Sequence, residues 1–133
     1  MKSLWPRGAL SLMLTLLIAC GVSVGHQQLY LPTDVVESQY DAIRAIIVEE
    51  AANNGYGAAP TSEIKPSQYN NYKGKIYYAL KTGAGTDQFT VELKPSDEGK
   101  VSVYMNGGGT KGDPRAAMKA ITDRLAKFGV TTD

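Results

Sequence analysis

Residues that carry redox, metal or acid–base chemistry are scarce in this sequence. The chain of 133 residues has one cysteine, Cys20, and one histidine, His26. A disulfide needs two cysteines, and a tetrahedral zinc site draws most of its ligands from cysteine and histidine, so we expect neither. A serine–histidine–aspartate triad would have to use His26, which we assign to a mobile tether. We therefore predict no catalytic residue, no metal, no cofactor and no enzymatic activity.

A strong excess of charge is also lacking. Lys and Arg number 14 and Asp and Glu number 13, so the formal net charge is +1, and no stretch is rich in basic residues. A nucleic-acid-binding protein concentrates Lys and Arg on one surface to neutralise phosphates. We therefore predict no nucleic acid partner. The apolar fraction of 43% is typical of a folded domain rather than of a disordered chain.

Apolar runs long enough to span a membrane are missing as well. The uncharged run Ala9–Ala19 is well short of the roughly 20 residues that a spanning helix needs. It follows Lys2 and Arg7, an arrangement typical of a signal peptide. It ends in Leu17-Ile18-Ala19-Cys20, which resembles the lipobox of bacterial lipoproteins. That resemblance implies that Cys20 is lipidated and that the chain is cleaved just before it.

The lipobox divides the chain into residues 1–19 as signal peptide, 20–31 as lipidated tether and 32–133 as a single domain. Two short strands stay open as alternatives: one at Gln28–Leu31, at the end of the tether, and an edge strand around Ala58–Ile64, which Pro60 disfavours. Two or more acyl chains on one residue bind a membrane firmly, whereas one chain alone binds weakly. The predicted partner is therefore the membrane, reached through lipid on the cysteine. Because Gly21 rather than aspartate follows that cysteine, the resemblance implies the outer membrane, facing the periplasm. Two alternatives stay open: cleavage after Gly25, which gives a secreted protein, and an uncleaved anchor.

Two apolar stripes at helical spacing enclose a region of two-residue periodicity. The first stripe lies between Pro32 and Gly55 with Asp34 as its predicted N-cap, and the second follows the predicted N-cap Asp113. Between them, three strands alternate apolar and polar residues, and we place Tyr78, Val91 and Val103 in one cross-strand row. We predict an α+β two-layer sandwich with an antiparallel sheet of three to four strands. Two helices cover one face of the sheet, in the order α-β-β-β-α.

The segments ESQYDAIRAIIVEEAANNGY and KVSVYMNGGGTKGDPRAAMKAITDRLAKFG resemble small bacterial lipoproteins of a domain-of-unknown-function family. In those proteins the last strand also runs through a glycine-containing turn and a Gly-Asp pair, here Gly112-Asp113, into a closing helix. The resemblance covers the helix, the strand meander and the closing helix. It implies no catalytic residues.

Two groups of residues are candidates for binding. The first lies on the polar face of the predicted sheet: Tyr77, Glu92, Ser102 and Tyr104. Tyrosine is enriched at protein interfaces, although strands also favour it for packing, and both explanations stay open. The second group lies in a glycine-rich loop before the closing helix: Gly107, Gly108, Gly109 and Lys111. This loop departs from the phosphate-binding pattern because glycine, not serine or threonine, follows the lysine.

These observations predict a membrane-anchored periplasmic lipoprotein of the cell envelope that acts as a non-enzymatic binding or assembly module. Its expected partner is an envelope protein. An alternative is a carrier of a small hydrophobic ligand held between helices and sheet. Such a carrier would need a cavity there, which a well-packed core does not offer.

Overall fold

Alternating apolar and polar residues build a five-stranded antiparallel sheet in the computed structural model, which describes residues 23–64, 78–96 and 98–132. The elements in chain order are β1 (Ser23–Pro32), α1 (Thr33–Asn53), β2 (Pro60–Ile64), β3 (Tyr78–Ala84), β4 (Asp87–Pro95), β5 (Lys100–Gly109), α2 (Pro114–Leu125) and a 3₁₀ turn (Ala126–Phe128). The spatial order of the strands is β1-β5-β4-β3-β2. Both sheet edges are therefore formed by strands from the first half of the described chain.

The prediction of a three- to four-stranded sheet in the order α-β-β-β-α is wrong. The observed order is β-α-β-β-β-β-α, because β1 precedes the first helix and β2 lies on the opposite edge. β1 occupies most of the segment that we predicted as a tether. On the side of β1 that faces the helices, the apolar residues are Leu29 and Leu31, and both are fully buried. Nearer its start, Gln27 faces the helices instead, and its Nε2 donates to Thr122 Oγ1 at 3.1 Å.

Both helices pack against one face of the sheet and share one hydrophobic core with it. The core side chains from the strands are Leu29, Leu31, Tyr78, Leu80, Phe89, Val91, Leu93, Val101, Val103 and Met105. Those from the helices and the loop after α1 are Val36, Ile43, Ile46, Ile47, Ala51, Tyr56, Ala117, Met118, Ile121 and Leu125. Burying this apolar surface is the main term that holds the two layers together.

The two helices begin in different ways. The N-cap of α1 is Pro32, without a side-chain hydrogen bond, so the prediction that Asp34 caps this helix is wrong. The Thr33 N–H instead donates to the carbonyl oxygen of Gly99 at 3.0 Å. The N-cap of α2 is Asp113, whose side chain accepts from the Ala116 N–H at 3.1 Å, as predicted. The local sequence thus determines the start of α2, whereas a tertiary contact supports the start of α1.

The register of β4 differs by two residues from the prediction. Leu93, not Val91, lies opposite Tyr78 and Val103. The β3–β4 turn is only two residues long, and its first residue, Gly85, has a φ of +63°. A shift of two residues keeps every side chain on its original face of the sheet. The shorter turn therefore changes the cross-strand partners but not the composition of the two faces.

An ion pair fastens the edge strand β2 to α1. Arg44 Nε donates to Glu63 Oε1 at 2.6 Å, and Arg44 Nη2 donates to Glu63 Oε2 at 2.8 Å. These hydrogen bonds raise the pKa of the Arg44 guanidinium above its ordinary value. Nearby, Tyr40 of α1 stacks on Tyr78 of β3 with ring centroids 4.0 Å apart. Burial raises the pKa of Tyr40 to about 12.

Candidate functional site

The face of the sheet opposite the helices, which we call the open face, carries polar side chains and two tyrosines. Its residues alternate with the core residues along each strand. They include Gln28 and Tyr30 of β1, Ser102 and Tyr104 of β5, Thr90, Glu92 and Lys94 of β4, and Ala79 and Lys81 of β3. Both described helices lie on the other side of the sheet. Among the described elements, no helix covers the open face.

Tyr104 lies near the centre of the open face. It is half-buried and sits between Gln28 of β1 and Glu92 of β4, directly across from each. Glu92 in turn lies across from Ala79 of β3, whose small side chain leaves room beside the carboxylate. The tyrosine ring is therefore flanked on both sides by polar groups that can hydrogen-bond a partner.

Ser102 lies in the neighbouring row, between Tyr30 of β1 and Lys94 of β4. Its Oγ accepts a hydrogen bond of 2.7 Å from Gln28 Nε2, and only 9% of the residue is exposed. Lys94 Nζ lies 3.0 Å from Glu92 Oε2, and both side chains are about one-third exposed. Such an exposed ion pair contributes at most about 1 kcal/mol to folding.

The structure brings together three of the residues predicted to bind, Glu92, Ser102 and Tyr104. Their places follow from period-two alternation, which the register shift leaves intact. Tyr77 and the lipidation residue Cys20 lie outside the described residues. Sequence reasoning left open a brief strand at Gln28–Leu31 but did not pair it with β5, so it missed Gln28 and Tyr30 as members of this face.

The glycine-rich segment is strand, not loop, as far as Gly109. Gly107 faces the helices, and a Cβ atom there would lie 2.7 Å from Phe89 and 2.9 Å from Pro114. A Cβ atom on Gly109 would lie 2.8 Å from the carbonyl oxygen of Gly112. These two glycines thus allow close packing. Gly108 lies on the open face across from Gln88 of β4, and Lys111 is exposed in the connection that follows the strand.

Asp87, the first residue of β4, holds the connection between β5 and α2. Its Oδ1 accepts from the backbone N–H of Lys111 at 2.8 Å and of Gly112 at 2.7 Å, and its Oδ2 accepts from the Thr110 hydroxyl at 3.1 Å. The hydrogen bonds from Gly112 and Lys111 lower the pKa of the Asp87 carboxyl. Successive backbone N–H groups form an anion-binding concavity, and here a carboxylate of the same chain fills it. An external anion would have to displace Asp87.

Tyr56 lies beneath this connection. The residue is 1% exposed, and its ring centroid is 5.3 Å from that of Phe89. Burial, assisted by the negative charges of Asp87 and Asp113, raises the pKa of Tyr56 to about 12. Its hydroxyl has no hydrogen-bond partner among the residues that the structure describes. The ring therefore serves as a packing surface for the loop.

The Asp87 carboxylate should stabilise the fold at neutral pH and lose this effect in acid. We expect Asp87→Asn to unfold at a lower temperature than the wild type at neutral pH. Because the folded-state pKa is depressed, the stabilisation is fully present above the ordinary value of 3.8 and is lost as the pH falls through the lower folded value. Thermal unfolding over a pH series should therefore show the two proteins converging in acid.

A suitable control for this experiment is Asp123→Asn. Asp123 accepts from Lys119 Nζ at 2.6 Å in an exposed pair on α2, so its loss should have little effect at any pH. Equal unfolding temperatures of Asp87→Asn and wild type at neutral pH would show that the carboxylate does not secure the loop.

Two further observations concern the chemistry of the described residues. No three or more of their His, Cys, Asp and Glu side chains come together in a way that could hold a metal ion. None of their helices combines the length and apolarity needed to cross a membrane.

The sequence matches no family model and no curated protein. The resemblance to a lipoprotein family of unknown function therefore stays a prediction, and functional inference depends on the residues themselves.

Proposed function

We propose that this protein is a lipid-anchored, non-enzymatic module of the bacterial cell envelope that binds a protein partner through the open face of its sheet. The observation that carries this proposal is the composition of that face. Tyr30 and Tyr104 are half-buried there among polar side chains, without a covering helix among the described elements. Tyrosine provides a large contact area at low entropic cost, and binding hot spots are rich in it.

The proposed lipid anchor is only a few residues from the start of the sheet, and this short separation supports the proposed role. β1 begins at Ser23, three residues after the proposed lipidation residue Cys20. Three residues span at most about 10 Å. The end of the sheet where Ser23 pairs with Gly109 would therefore lie close to the membrane surface. Such a short connection restricts where the open face can point, which suits a module that meets another envelope component.

A carrier of a small hydrophobic ligand finds no comparable support. The described side chains between helices and sheet are closely packed, each at most 7% exposed. A described surface cleft lies at the rim of the molecule, where β1 meets the start of α2, and Met118 is the one core side chain among its lining residues. No observation on the described residues therefore favours the carrier over the binding module.

Tyr104 offers a direct test of the open face. A photo-crosslinking amino acid in place of Tyr104 should give a discrete crosslinked product in living cells, whereas the same group in place of Lys119 should not. Lys119 is an exposed residue of α2 on the other side of the molecule, so it controls for nonspecific proximity.

Once the crosslinked partner is identified, Tyr104→Ala should weaken its binding. A hot-spot tyrosine contributes about 2 kcal/mol, or about 30-fold in Kd. The same change should lower the free energy of unfolding by about 2 kcal/mol or less, since Tyr104 has two cross-strand neighbours, Gln28 and Glu92, at a partly exposed site. A crosslinked partner that binds Tyr104→Ala as tightly as wild type would rule out the open face as the main interface.

A further inference from the structure

The outer edge of β1 has one backbone partner among the described residues, and that contact shows how the edge is oriented. The Tyr30 N–H donates to the Thr131 carbonyl at 2.8 Å, and the Thr131 N–H donates to the Tyr30 carbonyl at 3.0 Å. Both backbone groups of Tyr30 therefore point away from β5. In an antiparallel strand this direction alternates from residue to residue. β1 pairs with β5 without a bulge, so Gln28, His26 and Val24 also direct their N–H and C=O groups outward.

The two edges of the sheet differ in how they resist further strand pairing. β2 has five residues, begins with Pro60, and has an irregularity between Pro60 and Ser62. Short length, proline and bulges are the usual protections of an edge strand. β1 has ten residues, no lysine, and its single proline at the final position, Pro32. From Val24 to Gln28, no described residue pairs with its outward backbone groups. β1 is thus the edge that is open to an additional strand.

A cleft of about 520 Å³ follows this open stretch. Its walls include four consecutive residues, Val24, Gly25, His26 and Gln27, together with Asn106, Arg115 and Met118. These four residues are consecutive in β1, so the cleft runs along the same stretch of strand as the outward backbone groups of Val24 and His26. Gly25 has no side chain to fill it, and Val24 is 68% exposed. The cleft therefore offers space for side chains of a strand laid along β1.

The charge in the cleft indicates what kind of strand would fit. Arg115 is exposed and has no ion-pair partner within residues 23–64, 78–96 and 98–132. A second copy of β1 matches this charge poorly, since its segment from Val24 to Gln28 has no carboxylate. Two such copies related by a twofold axis at the middle of that segment would also place one His26 opposite the other. An acidic segment from a different protein matches the cleft better.

We propose that the outer edge of β1, from Val24 to Gln28, binds an extended acidic segment of a partner protein as a sixth strand of the sheet. The partner's backbone would pair with the outward groups of Val24, His26 and Gln28, as Thr131 already pairs with Tyr30. A carboxylate side chain of the partner would face Arg115. This is strand addition, in which backbone hydrogen bonds provide affinity and side-chain pockets provide specificity. This surface adjoins the open face at Gln28. It differs from the open face in using backbone N–H and C=O groups rather than side chains.

A random peptide library displayed on phage, selected on the full chain in detergent, tests the proposal. Selected peptides should be enriched in Asp and Glu. When the synthesised peptides bind, hydrogen exchange should slow at the amides of Val24, His26 and Gln28. His26→Pro removes an outward N–H without removing a β1–β5 hydrogen bond, and should weaken binding by about tenfold or more. His26→Ala keeps the N–H and should bind within about threefold of wild type.

Arg115→Glu tests the charge without touching the strand. It should also weaken binding by about tenfold or more, whereas Lys119→Glu on the same helix should not. The proposal is overturned by a selection that yields no binding peptide, by protection confined to amides outside β1, or by full binding to Arg115→Glu. It is also overturned by a dimer whose formation alone protects the three β1 amides, because β1 would then pair with a second copy.

Discussion

Replacement of Cys20 by serine is expected to abolish lipidation and to release the protein from the outer membrane. Diacylglyceryl transfer, which the lipobox resemblance implies, forms a thioether with the nucleophilic sulfur, and a serine hydroxyl is a far weaker nucleophile. Each buried CH₂ contributes about 0.8 kcal/mol, and two or more acyl chains on one residue bind firmly where a single chain binds weakly. The described helices provide no membrane-spanning segment to replace that energy. The variant should therefore be lost from washed membranes.

The expected result is measured by labelling cells with radioactive palmitate and separating soluble, inner-membrane and outer-membrane fractions. The wild type should carry label and stay with the outer membrane after an alkaline wash. Gly21→Ala keeps the thiol and is the matched control, which should behave as the wild type. A Cys20→Ser chain that is shortened to the same mature end and still resists the wash would refute the anchor.

The sequence predicts an element correctly when the residues that determine it lie close together in the chain. Asp113 and Pro114 form a capping arrangement within a few residues of each other, and α2 begins there as expected. Only the last part of β1, Gln28–Leu31, was considered as a strand, because the pairing of β1 with β5 joins Ser23 to Gly109, a partner that no local pattern reveals. The N-terminal half of β1 also lacks apolar residues at the positions that face the helices, because Gly25 and Gln27 occupy them. When a strand is positioned by a partner that is distant in sequence, periodicity alone predicts too few strands.

The candidate site follows the same rule. Alternation correctly placed Glu92, Ser102 and Tyr104 on one face, because any register shift of two residues preserves the face. The role of Asp87 could not be predicted, since its bonds to Lys111 and Gly112 cross about 25 residues of sequence. In the sequence, Asp87 is an ordinary polar residue beside a turn. Only the folded hairpin brings its carboxylate to the glycine-rich connection.

Gly83→Ala is expected to be among the most destabilising single substitutions in this hairpin. Gly83 lies in β3 with a φ of +77°, and a Cβ atom there would fall 2.0 Å from the carbonyl oxygen of Asp87. Left-handed backbone costs a residue with a side chain about 1–2 kcal/mol, and overpacking costs about 1–3 kcal/mol. Together these effects should lower the free energy of unfolding by about 3 kcal/mol or more.

Gly85→Ala is the matched control because it has the first effect without the second. Its φ is +63°, but a Cβ atom there would meet nothing within 4 Å, so we expect a loss of only about 1–2 kcal/mol. Urea unfolding should be measured for both variants, and their m-values should be equal so that the free energies of unfolding can be compared. The difference between the two losses then gives the cost of the clash apart from the backbone strain. Because the clashing carbonyl belongs to Asp87, Gly83→Ala should also weaken the carboxylate's hold on Lys111 and Gly112, and their amides should exchange faster than in Gly85→Ala. Equal losses in the two variants would mean that the hairpin absorbs the added methyl group, and that the position of Asp87 does not depend on a glycine at residue 83.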